Sequence, residues 1–335
     1  MGLLRELRRL LPQVTSEPKM LRPASFGAKV RTRMSMSEGR AAAPPHFENA
    51  FTPMALQEAW RKVRANGGAP GPDRQTLDDF ERELERNLEL LAREMRGGNY
   101  KPQPALRVWL PKAGGEPGEV RPISILNVRD RVVQRAAHGA LSPFYESRFL
   151  ECSFGFRESR GVREAVAEVV RLRESGLHCV VDGDIRKCFE MLEHDVLLRL
   201  LERDLGDVRY VQLIERWLRV GVLGSAGRRA QVEAQVRGVG QGAAISPLLA
   251  NVYLHEFDVV MCKARRALVR YADDWVILCR GREDAERALE EARHALLDLR
   301  LVVNPHKTRI TDFDTGWSFL GAFFVRDEQY WVNGK

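Results

Sequence analysis

The sequence lacks any run of about eighteen apolar residues, the length a transmembrane helix needs, although 44% of its 335 residues are hydrophobic. Its five cysteines form no CxxC pair and its seven histidines no HExxH pair, so the common zinc-binding signatures are missing. An odd number of cysteines without framework spacing also argues against a secreted disulfide scaffold and favours a cytoplasmic location. The first eleven residues lack the continuous apolar core of a signal peptide, so we do not expect export.

The charge balance indicates a polyanionic partner. Lysine and arginine number 53 against 46 acidic residues, which gives a net charge of +7 and a pI near 9.3. Residues 1–50 hold nine basic and four acidic residues among Pro, Ser and Ala, and this composition predicts a basic flexible arm. The arm could be ordered by RNA, or it could be a tail without a role.

Hydrophobic periodicity predicts both helices and strands. Thr52 is a candidate N-cap for a helix that reaches Arg64, and Thr76 with Asp79 forms a capping box for an amphipathic helix over 76–95. The other predicted elements are strands at 108–110 and 120–125 around a hairpin at Gly114-Gly115, a strand at 231–237, and helices at 131–141, 162–173, 195–205, 208–222, 247–262 and 284–299.

Two clusters of acidic residues follow strand-like segments. Tyr271-Ala272-Asp273-Asp274 separates two apolar runs, which predicts a hairpin with paired carboxylates at its tip. A second strand emerges at Asp184. Carboxylate oxygens suit Mg²⁺, and two-metal phosphoryl transfer needs carboxylates from separate strands to converge. The alternatives are a solvated turn and a polar strand end. Gly238-Val239-Gly240-Gln241-Gly242 lacks a third glycine at the spacing of a dinucleotide-binding fingerprint, and no βαβ unit surrounds it.

Nine short motifs occur along the chain in an order that resembles the reverse transcriptases, above all the group II intron-encoded and related bacterial enzymes. The resemblance covers roughly residues 50–325. The motifs are Leu110-Pro111-Lys112, Val120-Arg121-Pro122-Ile123, Asn127 to Gln134, Ser153-Phe154-Gly155-Phe156-Arg157, Asp184 with Phe189, Gly240-Gln241-Gly242 with Ile245 to Asn251, Tyr271 to Asp274, Asn304 to Thr308, and Phe319-Leu320-Gly321.

The resemblance implies a role for each of nine residues. Asp184, Asp273 and Asp274 would be the catalytic carboxylates that hold two Mg²⁺ ions, for which Mn²⁺ can substitute. The other implied roles are triphosphate binding by Lys112 and Arg121, exclusion of a 2′-hydroxyl by Phe189, contact with the nascent base pair by Gln241 and Gly242, and proton donation to pyrophosphate by Lys307.

The resemblance also implies an α+β fold with the fingers and palm of a right-hand polymerase, the palm being an antiparallel sheet packed on helices. We expect a basic arm at 1–50, a helical extension at 51–100, fingers at 101–177, the palm at 178–325 and a tail at 326–335, with the thumb absent or truncated. The implied activity is RNA-directed DNA polymerisation, with an RNA template, a DNA or RNA primer and deoxynucleoside triphosphates as partners and no membrane.

Two biological settings follow from the same resemblance. The late Val-Thr-Gly signature of retron enzymes is missing, and Gln241-Gly242 stands where diversity-generating enzymes carry Ser-Gln. This leaves an enzyme for CRISPR spacer acquisition from RNA, with CRISPR integrase proteins as partners. The alternative is a maturase or retroelement protein of the group II intron type that acts mainly by binding structured RNA.

Overall fold

The computed structural model describes residues 19–20, 42–111, 118–224 and 232–331. Within these ranges the chain forms helices and three four-stranded sheets, and the predicted α+β class is confirmed. The helices are α1 (Phe47–Ala50), α2 (Pro53–Asn66), α3 (Leu77–Arg82), α4 (Leu84–Arg96), α5 (Val128–Glu146), α6 (Val162–Glu174), α7 (Cys188–Met191), α8 (His194–Leu205), α9 (Val208–Arg219), α10 (Ser246–Lys263) and α11 (Arg282–Asp298).

The strands are β1 (Lys19–Met20), β2 (Ala105–Pro111), β3 (Val120–Ile125), β4 (Cys179–Asp184), β5 (Val222–Leu223), β6 (Val232–Glu233), β7 (Ala267–Tyr271), β8 (Asp274–Cys279), β9 (Arg309–Asp312), β10 (Trp317–Phe319), β11 (Ala322–Val325) and β12 (Glu328–Trp331). In none of the described segments is a helix both long enough and apolar enough to span a lipid bilayer.

The palm sheet has the strand order β7-β8-β4-β9, and every neighbouring pair is antiparallel. Successive side chains of a strand point to opposite faces. Val181 and Ile277 therefore enter the core beneath α10 and α11, whereas Val180 and Val276 pack with α6. Because helices cover both faces, the apolar residues of β8 run without alternation. The predicted antiparallel palm sheet packed on helices is confirmed.

A second sheet, of order β3-β2-β5-β6, corresponds to the predicted fingers strands. β2 is antiparallel to β3, from Leu106 opposite Ile125 to Pro111 opposite Val120, and parallel to β5. The strand predicted at 108–110 is thus longer at both ends. The hairpin predicted at Gly114-Gly115 lies outside the described residues.

The third sheet has the order β1-β12-β11-β10. Its inner residues Trp317 and Phe324 stack with ring centroids 4.8 Å apart and join the core that α6 shares with the palm sheet. The sequence did not predict this sheet. β1 lies within the segment expected to be a basic arm, and β12 lies within the expected tail.

Helix starts follow the sequence more closely than helix lengths do. The Thr52 hydroxyl accepts a hydrogen bond from the Ala55 amide at 3.2 Å, and the Thr76–Asp79 capping box is present, so both predicted caps are confirmed. The single helix predicted over 76–95 is wrong, because the chain leaves helical geometry at Glu83 (φ −121°). The side-chain amide of Asn87, in the next helix, donates to the Phe80 carbonyl at 3.0 Å across this break.

Three further boundaries differ from the sequence-based predictions. The helix expected over 131–141 begins at Val128 and reaches Glu146. The helix expected over 208–222 ends at Arg219, because Val222 joins a strand beside β2. In the described part of the segment expected as a strand at 231–237, only Val232–Glu233 is paired. The early end at Arg219 follows from the pairing of Val222 with Ala105, which is distant in sequence.

Gly183 gives a direct test of the packing around the palm sheet. A Cβ atom at this position would lie 2.3 Å from the buried Trp275 ring. We expect Gly183→Ala to lower the free energy of unfolding by about 1–3 kcal/mol, measured by urea denaturation. Gly139→Ala is the control: Gly139 is helical with open space around it, so alanine should be neutral or stabilising by up to about 1 kcal/mol. Equal stability of the two variants would contradict this account of the packing.

Candidate active site

The paired acids lie at a two-residue β-hairpin, as predicted. Tyr271 at the end of β7 pairs with Asp274 at the start of β8, so Ala272 and Asp273 form the loop. Tight hairpin loops need residues with positive φ, and Ala272 has φ +56°. A left-handed conformation is unfavourable for alanine, and it persists where the surroundings determine it.

The pairing of β4 with β8 places Asp184 next to this hairpin. β4 and β8 pair antiparallel, and Asp184 lies directly opposite Asp274. The amide of Ile185 donates to the carbonyl of Asp273 at 3.3 Å. Opposed residues of an antiparallel pair have Cβ atoms roughly 5 Å apart. The fold therefore brings together the backbones of three acids that are widely separated in the sequence.

The carboxylates themselves are not gathered around a common point. Among the described residues, no group of three or more His, Cys, Asp or Glu side chains is arranged to hold a metal ion. Although Asp274 is solvent-exposed, desolvation by the surrounding protein atoms, followed by repulsion from the Asp273 and Asp184 carboxylates, raises the pKa of its carboxyl to about 7. Partial burial, followed by Asp184, also raises the pKa of Asp273. Such mutual repulsion among hard oxygen donors fits a site for divalent cations.

The motif from Asn304 to Thr308 is hydrogen-bonded to Asp184 at the end of β4. The Asn304 amide donates to the Asp184 carbonyl at 2.8 Å, and its side-chain amide donates to the Asp184 carboxylate at 2.8 Å. The Asp184 amide donates to the Thr308 hydroxyl at 3.3 Å. Lys307 forms an ion pair with the same carboxylate, with its Nζ atom 3.3 Å from Oδ1. Lys307 thus lies at Asp184, and Asn304 is a contact that the sequence analysis missed.

A buried arginine supports the hairpin from below. Arg270 and Asp258 are both fully buried and form two hydrogen bonds of 2.6 Å. The remaining donors of Arg270 contact the Asn251 side chain at 3.1 Å, the Ser153 hydroxyl at 2.8 Å and the Ala272 carbonyl at 3.0 Å. All five N–H donors of the guanidinium are thereby used. The sequence analysis missed this cluster, although a charged residue between the apolar Val269 and the acidic motif was a signal.

Phe189 lies on the short helix α7, close to the hairpin. Its half-buried ring meets the exposed ring of Phe156 edge-on, with centroids 6.3 Å apart and an interplanar angle of 86°. Phe156 also lies 6.5 Å from the ring of Tyr271. The Phe189 carbonyl accepts a hydrogen bond from the Val239 amide at 2.7 Å, which ties α7 to the segment before Gln241. These contacts form an aromatic wall beside the acids.

Gln241 and Gly242 contact the fingers sheet. The Gln241 carbonyl accepts a hydrogen bond from the Ser124 amide at 2.7 Å. Gly242 has φ +95°, and a Cβ atom there would come within 3.1 Å of Ile123 and of the Ser124 carbonyl, so glycine is required by both conformation and space. The close approach at Gly242 is therefore to β3.

One of the two predicted triphosphate-binding cations lies on the fingers sheet. Arg121 is exposed on β3, opposite Leu110 of β2. Lys112 lies outside the described residues. The structure thus brings together Asp184, Asp273, Asp274 and Lys307, with Phe189 nearby, and places Arg121 on the other sheet.

Comparison with known proteins identifies the family. The family model "Reverse transcriptase (RNA-dependent DNA polymerase)" matches residues 110–324, which is most of the chain and includes every candidate site residue. The protein YkfC of Escherichia coli K12 is 32% identical over 315 residues, covering 82% of this chain and 81% of YkfC. The chain belongs to the reverse transcriptase family.

More distant relatives agree with this assignment. The group II intron-encoded protein LtrA of Lactococcus lactis is 32% identical over 202 residues, covering 60% of this chain and 32% of LtrA. A telomerase structure from Candida albicans matches 74% of this chain and 48% of its own at 13% identity, with a TM-score of 0.52, which shows a shared fold. The chain spans about a third of the length of LtrA and about half that of the telomerase chain. The predicted resemblance to group II intron-encoded enzymes and the polymerase fold are confirmed.

The buried ion pair under the hairpin can be tested by substitution. Arg270→Met leaves the Asp258 carboxylate buried without a cation, so we expect the free energy of unfolding to fall by about 3–5 kcal/mol in urea denaturation. Arg270→Met with Asp258→Leu should recover most of this loss, because no charge is then buried. Arg282→Met removes an exposed ion pair and should change stability by less than about 1 kcal/mol. A single Arg270→Met variant as stable as Arg282→Met would refute the role of Arg270 in neutralising the buried Asp258 carboxylate.

Proposed function

We propose that the chain is an RNA-directed DNA polymerase that adds deoxynucleotides to the 3′ end of a primer. One observation carries the proposal: the register of β4 and β8 sets Asp184 opposite Asp274 and beside Asp273. Phosphoryl transfer depends on positioning and on charge neutralisation more than on covalent catalysis, so the reaction needs acids that separate strands bring side by side. Membership of the reverse transcriptase family supports the same activity.

Asp184, Asp273 and Asp274 would hold two Mg²⁺ ions, with Mn²⁺ as a substitute. Such ions, when bound, neutralise charge on the reacting phosphate and favour ionisation of the attacking hydroxyl. Asn304 orients the Asp184 carboxylate through the hydrogen bond of 2.8 Å. Lys307, now paired with Asp184, would donate a proton to the leaving pyrophosphate when that group arrives.

The remaining residues would bind the substrates. Lys112 and Arg121 would contact the triphosphate, a task to which a point charge and a planar guanidinium are both suited. Phe189 would limit the space at the sugar and so exclude a 2′-hydroxyl. Gln241 and Gly242 would contact the nascent base pair, held in place by β3.

Removal of the acids tests the proposed activity. We expect Asp273→Asn with Asp274→Asn, and separately Asp184→Asn, to reduce primer extension on an RNA template at least about 100-fold, because the charge that would hold the cations is lost. Asp182→Asn is the matched control: Asp182 is on the same strand, but its carboxylate pairs with Arg309 at 3.2 Å. Extension that survives in the double variant would rule out the proposed polymerase.

RNA binding as the main role is the second candidate, favoured by the net charge of +7. Under this alternative, loss of all three acids would leave both RNA binding and the biological role intact. Under the proposed polymerase function, RNA binding would remain while the biological role fails. Comparing RNA binding with the biological role in the Asp184→Asn, Asp273→Asn, Asp274→Asn triple variant therefore separates the two.

Participation in CRISPR spacer acquisition from RNA stays a prediction, as does the cytoplasmic location. The CRISPR prediction rests on two observations: the chain carries the motifs of the group II intron-like enzymes, and it lacks the signatures of the retron and diversity-generating enzymes. We expect the chain to co-purify with CRISPR integrase proteins from its own host. A group II intron RNA flanking its coding sequence would instead favour the maturase alternative.

A further inference from the structure

Phe156 is an exposed aromatic residue in an unfavourable backbone conformation. Its side chain is 53% exposed, and its φ is +60°, a region that bulky residues rarely occupy. Neither property benefits folding. Residues held in this way concentrate at functional sites, where the surrounding structure determines the conformation.

The loop around Phe156 is fixed on both sides. The guanidinium of Arg157 is almost fully buried and contacts the Glu146 carboxylate at 2.7 Å and the Leu150 carbonyl at 2.6 Å. On the other side, the Asn251 side-chain amide donates to the Gly155 carbonyl at 2.8 Å. Asn251 also contacts Arg270, so the loop shares the buried cluster that supports the catalytic hairpin. The Phe156 ring is thus presented from a rigid backbone.

The position of the ring indicates what it does. Phe156 meets Phe189 edge-on at 6.3 Å and lies 6.5 Å from Tyr271, so it stands between the aromatic of α7 and the catalytic hairpin. Edge-to-face aromatic contacts favour a defined orientation. The backbone of Phe189 is held separately, through the Val239 amide. The Phe189 side chain also packs against the main core, so the core and the Phe156 ring together restrict how the Phe189 ring can turn.

We propose that Phe156 is a positioning residue that fixes the ring of Phe189 and thereby sets how strictly the enzyme rejects ribonucleotides. The inference rests on the proposed polymerase function. With Phe156 truncated, the Phe189 ring can move away from the sugar, and a 2′-hydroxyl then fits. The backbone strain at Phe156 is the cost of presenting its ring at this point.

The experiment measures kcat/KM for a deoxynucleotide and for the matching ribonucleotide in single-nucleotide extension on an RNA template. We expect Phe156→Ala to lower the ratio of the two values about tenfold. Phe189→Ala should lower the ratio by at least as much. The double variant should be no worse than Phe189→Ala, because Phe156 acts through Phe189.

Phe156→Gly separates positioning from stability. Glycine relieves the unfavourable φ, so the melting temperature should be unchanged or higher while the sugar discrimination still falls. Phe156→Leu should retain part of the discrimination. Arg265→Gly is the matched control, since Arg265 also has a positive φ (+55°) but lies at the exposed end of α10, and its ratio should equal that of the unmodified enzyme.

Each contrary outcome is distinguishable. A Phe156→Ala ratio within twofold of the unmodified enzyme would overturn the inference and leave the proposed polymerase function intact. Fold-losses that multiply in the double variant would also overturn it, because the two residues would then act independently. The same holds if Phe189→Ala leaves the ratio unchanged. An unmodified chain that extends no primer would overturn the proposed function and this inference with it.

Discussion

The buried pair of Arg270 and Asp258 joins three parts of the molecule beneath the acidic hairpin at Tyr271–Asp274. Through one guanidinium, α10, the Ser153–Arg157 loop and the carbonyl of Ala272 are held at fixed distances. A buried ion pair contributes little net stability, because desolvation offsets the attraction. The pair instead fixes positions. Each N–H donor of Arg270 has one partner, and this holds the backbone of Ala272 in its unfavourable conformation and thereby fixes the position of Asp273. Both the acids and the Phe156 loop depend on that geometry.

The palm sheet supplies the second constraint. A shift of one residue between β4 and β8 would move every side chain to the opposite face. Val180 and Val181 belong to different cores, so such a shift would disrupt both. Burial on two faces therefore fixes the register, and the register sets Asp184 opposite Asp274. Hydrophobic packing determines the alignment of the acids, although no acid takes part in it.

The features that could be predicted from the sequence are those that depend on interactions between residues close together in the chain. The hairpin at Tyr271–Asp274, the caps at Thr52 and Thr76, and the helices of the palm are local patterns, and the structure agrees with them. The early end of the helix at Arg219 depends on a contact with a distant segment, because Val222 pairs with Ala105. The same reason explains why Asn304 and the Arg270 cluster were missed, since their partners lie up to 120 residues away. The order of the motifs predicted Asp184 and Asp273 as site residues. Only the fold shows the contacts that position them, from Asn304 to Asp184 and from Arg270 to the hairpin.

In the proposed polymerase, acids from two palm strands share divalent cations. The most direct measurement is titration of Mn²⁺ by electron paramagnetic resonance with a deoxynucleoside triphosphate present. The account predicts that Asp273→Asn with Asp274→Asn weakens Mn²⁺ binding more than about tenfold, whereas Asp182→Asn leaves it unchanged. Equal Mn²⁺ affinity in the unmodified chain and the double variant would contradict the claim.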